Sequence, residues 1–203
     1  MAVTVDTIAS MSSEPAAFGP RGDPTRHLPL ADLESCLRAL GPAPRDAGRV
    51  AFVVKRTPDK TRVTLDRVEL RPGLGIPGDA WGRHATPDPE AELTVMEVDV
   101  AALIANDQPL TLFGDNLFLR IDLSRDNLPA GSRVQVGGAL LEVTPKPHDG
   151  CRKFAARFGH DALRLVSRPE LRHRNLRGIY MRVVEAGVIA AGAPVEVLSR
   201  PTP

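Results

Sequence analysis

Apolar residues change period several times along the chain, and each change marks an element. In LPLADLESCLRALGPAP, Leu30, Leu33, Leu37 and Leu40 recur at helical spacing, which predicts an amphipathic helix over Pro29–Leu40. Pro29 suits its first turn, Asp32 and Glu34 suit the positive end of its dipole, and Gly41-Pro42 stops it. Cys36 lies beside the leucine stripe and is expected to pack there, as free cysteines commonly do. From Arg49 the period shortens. RVAFVVKR reads as a strand, TPDK as a turn, and Thr61–Leu70 as a second strand of a hairpin. Val63 and Leu65 are odd-numbered while Val68 and Leu70 are even-numbered, so the alternation slips phase; a bulge near Asp66-Arg67 accounts for it.

A long loop, RPGLGIPGDAWGRHATPDPEAE, follows. Loops of this length in compact domains are usually functional or disordered, and the lone Trp81 argues against disorder. Leu93–Met96 predicts a short strand, and Val98, Ala101, Ala102 and Ala105 a short amphipathic helix. LTLFGDNLFLRIDLS is β-like, interrupted at Gly114-Asp115-Asn116, where turn geometry is the ordinary use of an asparagine. Ser132–Thr144 predicts a hairpin turning on Gly137-Gly138. RKFAARFG predicts a short helix, with Phe154 and Phe158 one turn apart and Gly159 as its stop. HDALRLVSR predicts a short strand or helix, and strands close the chain around Ile179–Val184 and Pro194–Leu198. Many short strands with few helices predict a mainly β fold, a closed or nearly closed β-barrel.

Composition adds bounds. Residues 1–26 are rich in Ser, Pro, Ala and Gly without a period, as a flexible tail would be. Residues 27–47 form a helical extension and 48–200 the barrel domain. Hydrophobic residues make up 42% of the 203, enough for one core. Lys+Arg number 26 against Asp+Glu 25, which lacks the basic surplus that nucleic-acid binding or an anionic membrane surface demands. No stretch approaches the roughly 18–20 apolar residues of a membrane span, and the N-terminus has no cationic start or apolar run of a signal peptide. Two cysteines form neither a disulfide framework nor a four-cysteine zinc site, so a reducing, cytoplasmic setting fits. The five histidines show no metal-ligand spacing with the cysteines. Gly73-x-Gly75-x-x-Gly78 spells a dinucleotide fingerprint but leads into Asp79, Trp81 and prolines rather than a helix.

Candidate chemistry concentrates in TPKPHDGCRKFAARFG. Cys151 follows a glycine, opens a predicted helix and precedes Arg152 and Lys153. A helix N-terminus and neighbouring cations both favour a thiolate and can bring a cysteine from about 8.5 to roughly 7 or below. The alternative is a small buried apolar residue. His148 or His84 is a possible partner for the thiol. In the long loop, the ordinary use of a single aspartate or histidine is structural, Asp79 as a turn cap and His84 as a solvated side chain.

Four segments, in order from about Gly48 to Leu198, resemble the MOSC domain, found at the C-terminus of molybdenum-cofactor sulfurases. GIPGDAW is similar to its Gly-x-x-Gly-Asp segment. FGDNLFLRIDLSRDNLPAGSRVQVG is similar to its Gly-Glu/Asp-Asn-Leu and Leu-Pro-x-Gly segment. PHDGCRKFAARFG is similar to the segment carrying its cysteine, and LRGIYMRVVEAGVIAAGAPVEVL to its closing Arg-Gly and glycine-spaced strands. The leading helix resembles the N-terminal extension of stand-alone bacterial members. Gly150 stands where many members have Pro, Asp115 where many have Glu, and Pro77 replaces an aliphatic residue.

The resemblance implies a barrel-like β fold and a cysteine, Cys151, that either ligates molybdenum in a pterin cofactor (molybdopterin) or carries sulfur as a persulfide. It also singles out Gly75, Gly78, Asp79, Asn116, Lys153, Arg177 and Gly178 by position. Arg83, Lys153 and Arg177 are candidates to hold the cofactor's phosphate, with Asp79 and Asn116 shaping loops over the pterin. No pyridoxal-phosphate domain is present, so none is expected as a cofactor. The implied activities are reduction of a small-molecule substrate such as an N-hydroxylated compound, sulfur transfer, or binding without turnover. Electrons or sulfur would come from a separate donor protein, since the chain has no iron–sulfur cysteine cluster.

Overall fold

The computed structural model describes residues 20–201. Ten strands run in chain order as β1 (Ala47–Arg56), β2 (Arg62–Leu65), β3 (Arg67–Leu70), β4 (Leu93–Glu97), β5 (Leu117–Arg120), β6 (Arg133–Val136), β7 (Ala139–Val143), β8 (Ile179–Glu185), β9 (Gly187–Ala190) and β10 (Pro194–Ser199). Seven of them close a ring in the order β1-β10-β6-β7-β8-β4-β5 and back to β1. Closure removes the unpaired edges that an open sheet of short strands would expose. All neighbours in the ring are antiparallel except β4 and β5, which run parallel. That parallel pair is joined through the helix α2 (Val98–Ala105), the crossover such a pairing requires.

Two apolar clusters share the strands between them. The barrel interior holds Val50, Val53, Leu93, Val95, Leu117, Leu119, Val134, Leu141, Met181 and Val195 among others. Phe118, between Leu117 and Leu119, joins the second cluster outside the barrel with Met96, Leu33, Phe113, Phe154 and Phe158. Alternation along a strand sends neighbours to opposite faces. Where both faces are covered the whole strand is buried, as all five residues of β4 are. The outer layer consists of α1 (Leu30–Ala39), α2, α3 (Arg152–Phe158) and α4 (His160–Val166), with α1 lying against α4 and α2. Glu97 caps α2, accepting from the backbone N–H of Asp99 at 3.0 Å and of Val100 at 2.7 Å. Among the described residues no helix is long and apolar enough to cross a membrane.

Several expectations need correcting. The run Thr61–Leu70 is not one bulged strand. Its phase slip at Asp66 is a change of sheet: β2 pairs with β1, and β3 leaves to pair with β9 in a separate two-stranded sheet. Leu110–Phe113 is a 3-10 turn, not β, because Gly114 reverses the chain in the left-handed region (φ 73°) before β5 can begin. HDALRLV is helical. Cys36 is exposed rather than packed. The buried face of α1 is centred on Leu33 and Leu37 and is too narrow to include it. The expected tail lies outside the described residues as far as residue 19. Residues 20–26 are held to the helical layer through Gly22 N–H on Ala156 O (3.4 Å) and Asp23 N–H on Gln108 Oε1 (2.7 Å).

Candidate functional site

The segment leaving β7 is pinned at its start and pressed at its end. Thr144 donates its amide to Tyr180 O at 3.0 Å and its hydroxyl to Glu90 O at 2.7 Å. At the far end α4 crowds Gly150, where a Cβ would come within 2.5 Å of Leu163 Cδ1 and 3.2 Å of Val166 Cγ2. A glycine is therefore what this turn accommodates. Cys151 comes next, extended at φ −137° and ψ 177°, immediately before α3. Its carbonyl accepts from Ala155 N–H at 3.0 Å, and its thiol is exposed. Exposure rules out the alternative in which Cys151 is a core filler.

Below this turn lies a buried charged cluster. Asp115, 1% exposed, accepts from Arg177 Nη1 at 2.7 Å. The Arg177 guanidinium carbon lies 5.3 Å from the centre of the Phe154 ring and 5.9 Å from that of Phe113, within cation–π range of both. Burial pushes the Asp115 carboxyl up, while Arg177 beside it pulls the other way. His148 approaches the other oxygen of Asp115, Nε2 to Oδ1 at 3.7 Å, and lies against Tyr180 with ring centres 4.4 Å apart. Burial first, and then the Arg177 and Arg56 charges, hold His148 well below the ordinary 6.5, so the imidazole is neutral. His148 thus faces Asp115, and His84 stands exposed on the far loop.

A second network joins the long loop to the barrel wall. Arg56, at the end of β1, donates Nε to Asp79 Oδ2 at 3.0 Å and Nη2 to Asn116 Oδ1 at 3.2 Å. Asp79 also accepts the amides of Arg56 at 2.6 Å and Trp81 at 3.1 Å, so it closes the loop onto β1. Asn116 Oδ1 accepts Thr94 N–H and Oγ1–H at 3.2 and 2.9 Å, and Nδ2 donates to Val54 O at 3.3 Å. One side chain thereby ties β4, β5 and β1 where the charged cluster begins. Arg157 and Arg62 complete the cluster. Arg157 is 6% exposed and donates to Phe113 O at 3.2 Å and Pro20 O at 3.3 Å. Arg62 falls to about 10, through burial and the neighbouring charges of Arg157 and Arg56.

Among the described residues guanidinium outnumbers carboxylate here. Arg56, Arg62 and Arg177 face the carboxylates of Asp79 and Asp115, three guanidinium groups against two acids, with His148 uncharged. Arg62 Nε and Nη1 and Arg177 Nε are buried donors without a hydrogen-bond partner; Asp115 Oδ1 and His148 Nδ1, an acceptor in the neutral ring whose Nε2 faces Asp115, are buried and unpartnered too. Leaving a buried polar group unsatisfied costs about 1–3 kcal/mol, and more when it is charged. The arginine donors kept in this state are suited to an acceptor brought by an anionic ligand.

Of the residues singled out by sequence, Asp79, Asn116 and Arg177 converge on this cluster, with Cys151 above it. Gly178 follows Arg177 at the entry to β8, at φ 92°, and a Cβ there would meet Val95 O at 2.1 Å. Its lack of a side chain lets β8 approach β4. Gly75 and Gly78 shape the long loop at φ 55° and 76°, and Gly75 donates its amide to the buried Glu92 at 2.8 Å. Arg83 spends its guanidinium on three backbone carbonyls, Arg56 O, Gly78 O and Thr57 O, at 2.8–3.0 Å. Lys153 is exposed on the first turn of α3. Sequence reasoning missed Arg56, Arg62, Arg157 and Tyr180. Only Arg157 left a signal: it stands three residues after Phe154 and beside Phe158, a charge on the apolar face of a helix.

Known proteins resemble this chain in sequence and in fold. A family model described as the MOSC domain matches residues 90–196, just over half of the chain. The YflK protein of Bacillus subtilis, itself uncharacterised, is 32% identical over 88 residues, 43% of this chain and 37% of that protein. Among solved structures, the YuaD protein of Bacillus subtilis aligns with a TM-score of 0.58 at 17% identity, covering 76% of this chain and 97% of its own. YiiM of Escherichia coli aligns with a TM-score of 0.53 at 24% identity, over 76% and 72% of the two chains. YiiM of Geobacillus stearothermophilus gives 0.51 at 19%, over 75% and 76%. These likenesses are of fold.

Proposed function

The chain belongs to the MOSC domain family, and from that membership we propose that it binds a molybdenum–pterin cofactor and acts as a small oxidoreductase on N-hydroxylated compounds. The observation that carries this reading is the exposed thiol of Cys151 above a buried cluster with more guanidinium than carboxylate. Among the described residues no three His, Cys, Asp or Glu side chains are grouped to hold a metal ion. Cys151 offers an exposed thiolate, and a soft thiolate suits a metal whose other ligands are the pterin's own sulfurs. The unpartnered nitrogens of Arg62 and Arg177 are the donors that would hydrogen-bond to the anionic parts of such a cofactor. Arg83, committed to backbone carbonyls, would act by holding the loop instead.

When bound, the cofactor supplies two-electron redox chemistry at the metal. The protein's residues do the rest. Asp115 holds Arg177 in place, and the Phe113 and Phe154 faces keep water from it. Asp79 and Asn116, through Arg56, keep the loop and three strands in register around the cluster. Reducing an N-hydroxyl group to an amine takes two electrons and two protons and releases water. A separate redox protein carrying a flavin or an iron–sulfur centre would deliver the electrons. Molybdenum content after expression in a cofactor-producing host tests the proposal. Stoichiometric metal that is lost in Cys151→Ala is expected; a metal-free wild-type protein overturns it.

A second reading, favoured by the same exposure of the thiol to a partner protein, is sulfur carriage as a persulfide on Cys151. Incubation with a desulfurase and cysteine should then add the mass of one sulfur atom at Cys151, and an unmodified Cys151 peptide would count against it.

A further inference from the structure

We propose that the cationic rim around the Cys151 turn is the docking face for an acidic redox protein, the electron donor that the proposed function requires. Arg152 and Lys153 follow Cys151 on the first turn of α3, and both are exposed. On the other side of the turn stand Arg125 and Arg172, also exposed. They share the wall of a recess with Pro147, His148 and Asp149, which lead into Gly150, and with Val166, one of the α4 residues that crowd Gly150. Among the described residues none of these four basic side chains makes a hydrogen bond or an ion pair. With Asp149 in the same wall, four cations face one carboxylate.

The surplus is local. The whole chain carries a net charge of only +1. Elsewhere Arg71, Arg120, Arg164, Arg182 and Arg200 are each held against a carboxylate at 2.6–3.0 Å. Exposed ion pairs add little to stability, so leaving the rim unpaired costs the fold little and sets up a positive potential over the thiol. Two of the four cations are placed there by the backbone. Arg125 N–H donates to His173 O at 2.7 Å, and Asn175 Nδ2 donates to Leu123 O at 2.8 Å, which locks the loop after β5 onto the 3-10 segment Pro169–Arg174. The exposed thiol opens inside this rim, and both reductant and substrate must use that opening. A donor protein therefore has to arrive quickly and leave soon. Complementary charge supplies the speed. A small, wet contact of less than about 1,200 Å², the kind redox pairs form, permits the departure. Each N-hydroxyl group reduced oxidises the donor by two electrons, in two visits of a one-electron iron–sulfur protein or one visit of a two-electron flavoprotein.

The electron-donor role rests on the proposed function; docking itself does not, so the test uses the full chain free of cofactor. Calorimetric titration with an acidic [2Fe–2S] ferredoxin, an acidic flavodoxin, a basic c-type cytochrome and a short DNA duplex measures binding. An acidic redox protein should bind at low salt and be released at about 0.2 M, where screening acts within less than about 8 Å. The cytochrome should not bind. Arg125→Glu/Arg172→Glu should weaken docking about tenfold or more. Arg49→Glu/Arg67→Glu makes the same charge change at exposed arginines of β1 and β3 and should weaken it by less than about threefold. Carbodiimide coupling should join the Lys153 amine to a carboxylate of the docked protein, and Lys153→Gln should remove that cross-link. No binding by either acidic protein, equal losses in the two double variants, or a cytochrome bound as well as the acidic proteins overturns the docking face. DNA bound as tightly as the better acidic protein overturns its assignment to a protein partner. A chain that docks the acidic protein yet carries no molybdenum from a cofactor-producing host overturns the proposed function alone.

Discussion

The inside of the barrel and the layer beneath α3 solve burial in opposite ways. The interior is filled by aliphatic side chains such as Val95, Leu117, Leu119, Leu141 and Met181, with no ionisable group among the clustered residues. Beneath α3, phenylalanines close over Asp115, Arg157, Arg177 and His148. The first arrangement gains from burial of apolar area and demands little geometry. The second gives up stability to hold charge where water is scarce, and needs a partner for each group it buries. The difference teaches where to look for function: stability concentrates in the ring of strands, chemistry in the seam between ring and helices.

The contrast is broken most severely at Arg177. Arg177→Met leaves Asp115 buried without its cation and is expected to cost about 3–5 kcal/mol in urea denaturation. Adding Asp115→Asn should recover much of that loss, and a loss confined to about 0.5 kcal/mol would show that the seam is not charged as described. In the interior, Leu119→Ala should cost about 2–5 kcal/mol by leaving a cavity, while the rate of Cys151 alkylation stays unchanged. A Leu119→Ala variant with altered thiol reactivity would mean that the two regions are coupled.

The seam should also make stability depend on pH. His148 is held neutral in the folded state, facing Asp115, Tyr180, Arg177 and Arg56, while the unfolded chain protonates it near 6.5. Below that pH the unfolded state binds the extra proton. The His148 contribution is therefore whole above 6.5 and is lost as pH falls, by up to about 1.4 kcal/mol per pH unit. His148→Gln should flatten the slope between pH 6.5 and about 5.5, measured by denaturation at each pH. The smallest effects are expected at the sulfurs. Cys36→Ser and Cys151→Ser should each change stability by no more than about 0.5 kcal/mol, both being exposed. Only Cys151→Ser should abolish molybdenum retention.

Hydrophobic periodicity by itself determined most of the elements. The leucine spacing of α1, the β6–β7 hairpin on Gly137-Gly138 and the short helix after Cys151 all follow from local rules that need no distant partner. The four spaced motifs carried the family as well. Tertiary structure decided what local rules cannot reach. The phase slip at Asp66 reads as a bulge until β9, more than a hundred residues away, claims β3. Leu110–Phe113 alternates like a strand, yet the left-handed Gly114 turns it away. Cys36 falls beside a leucine stripe and Cys151 opens a helix with an apolar face, and only packing showed that neither is covered. Arg56 and Arg62, at the two ends of a hairpin turn, carry no mark of burial, because the groups that enclose them come from residues 79, 115, 116 and 157. A sequence states which charges a chain has; which of them meet, and which are left without a counterion, depends on how the ring closes.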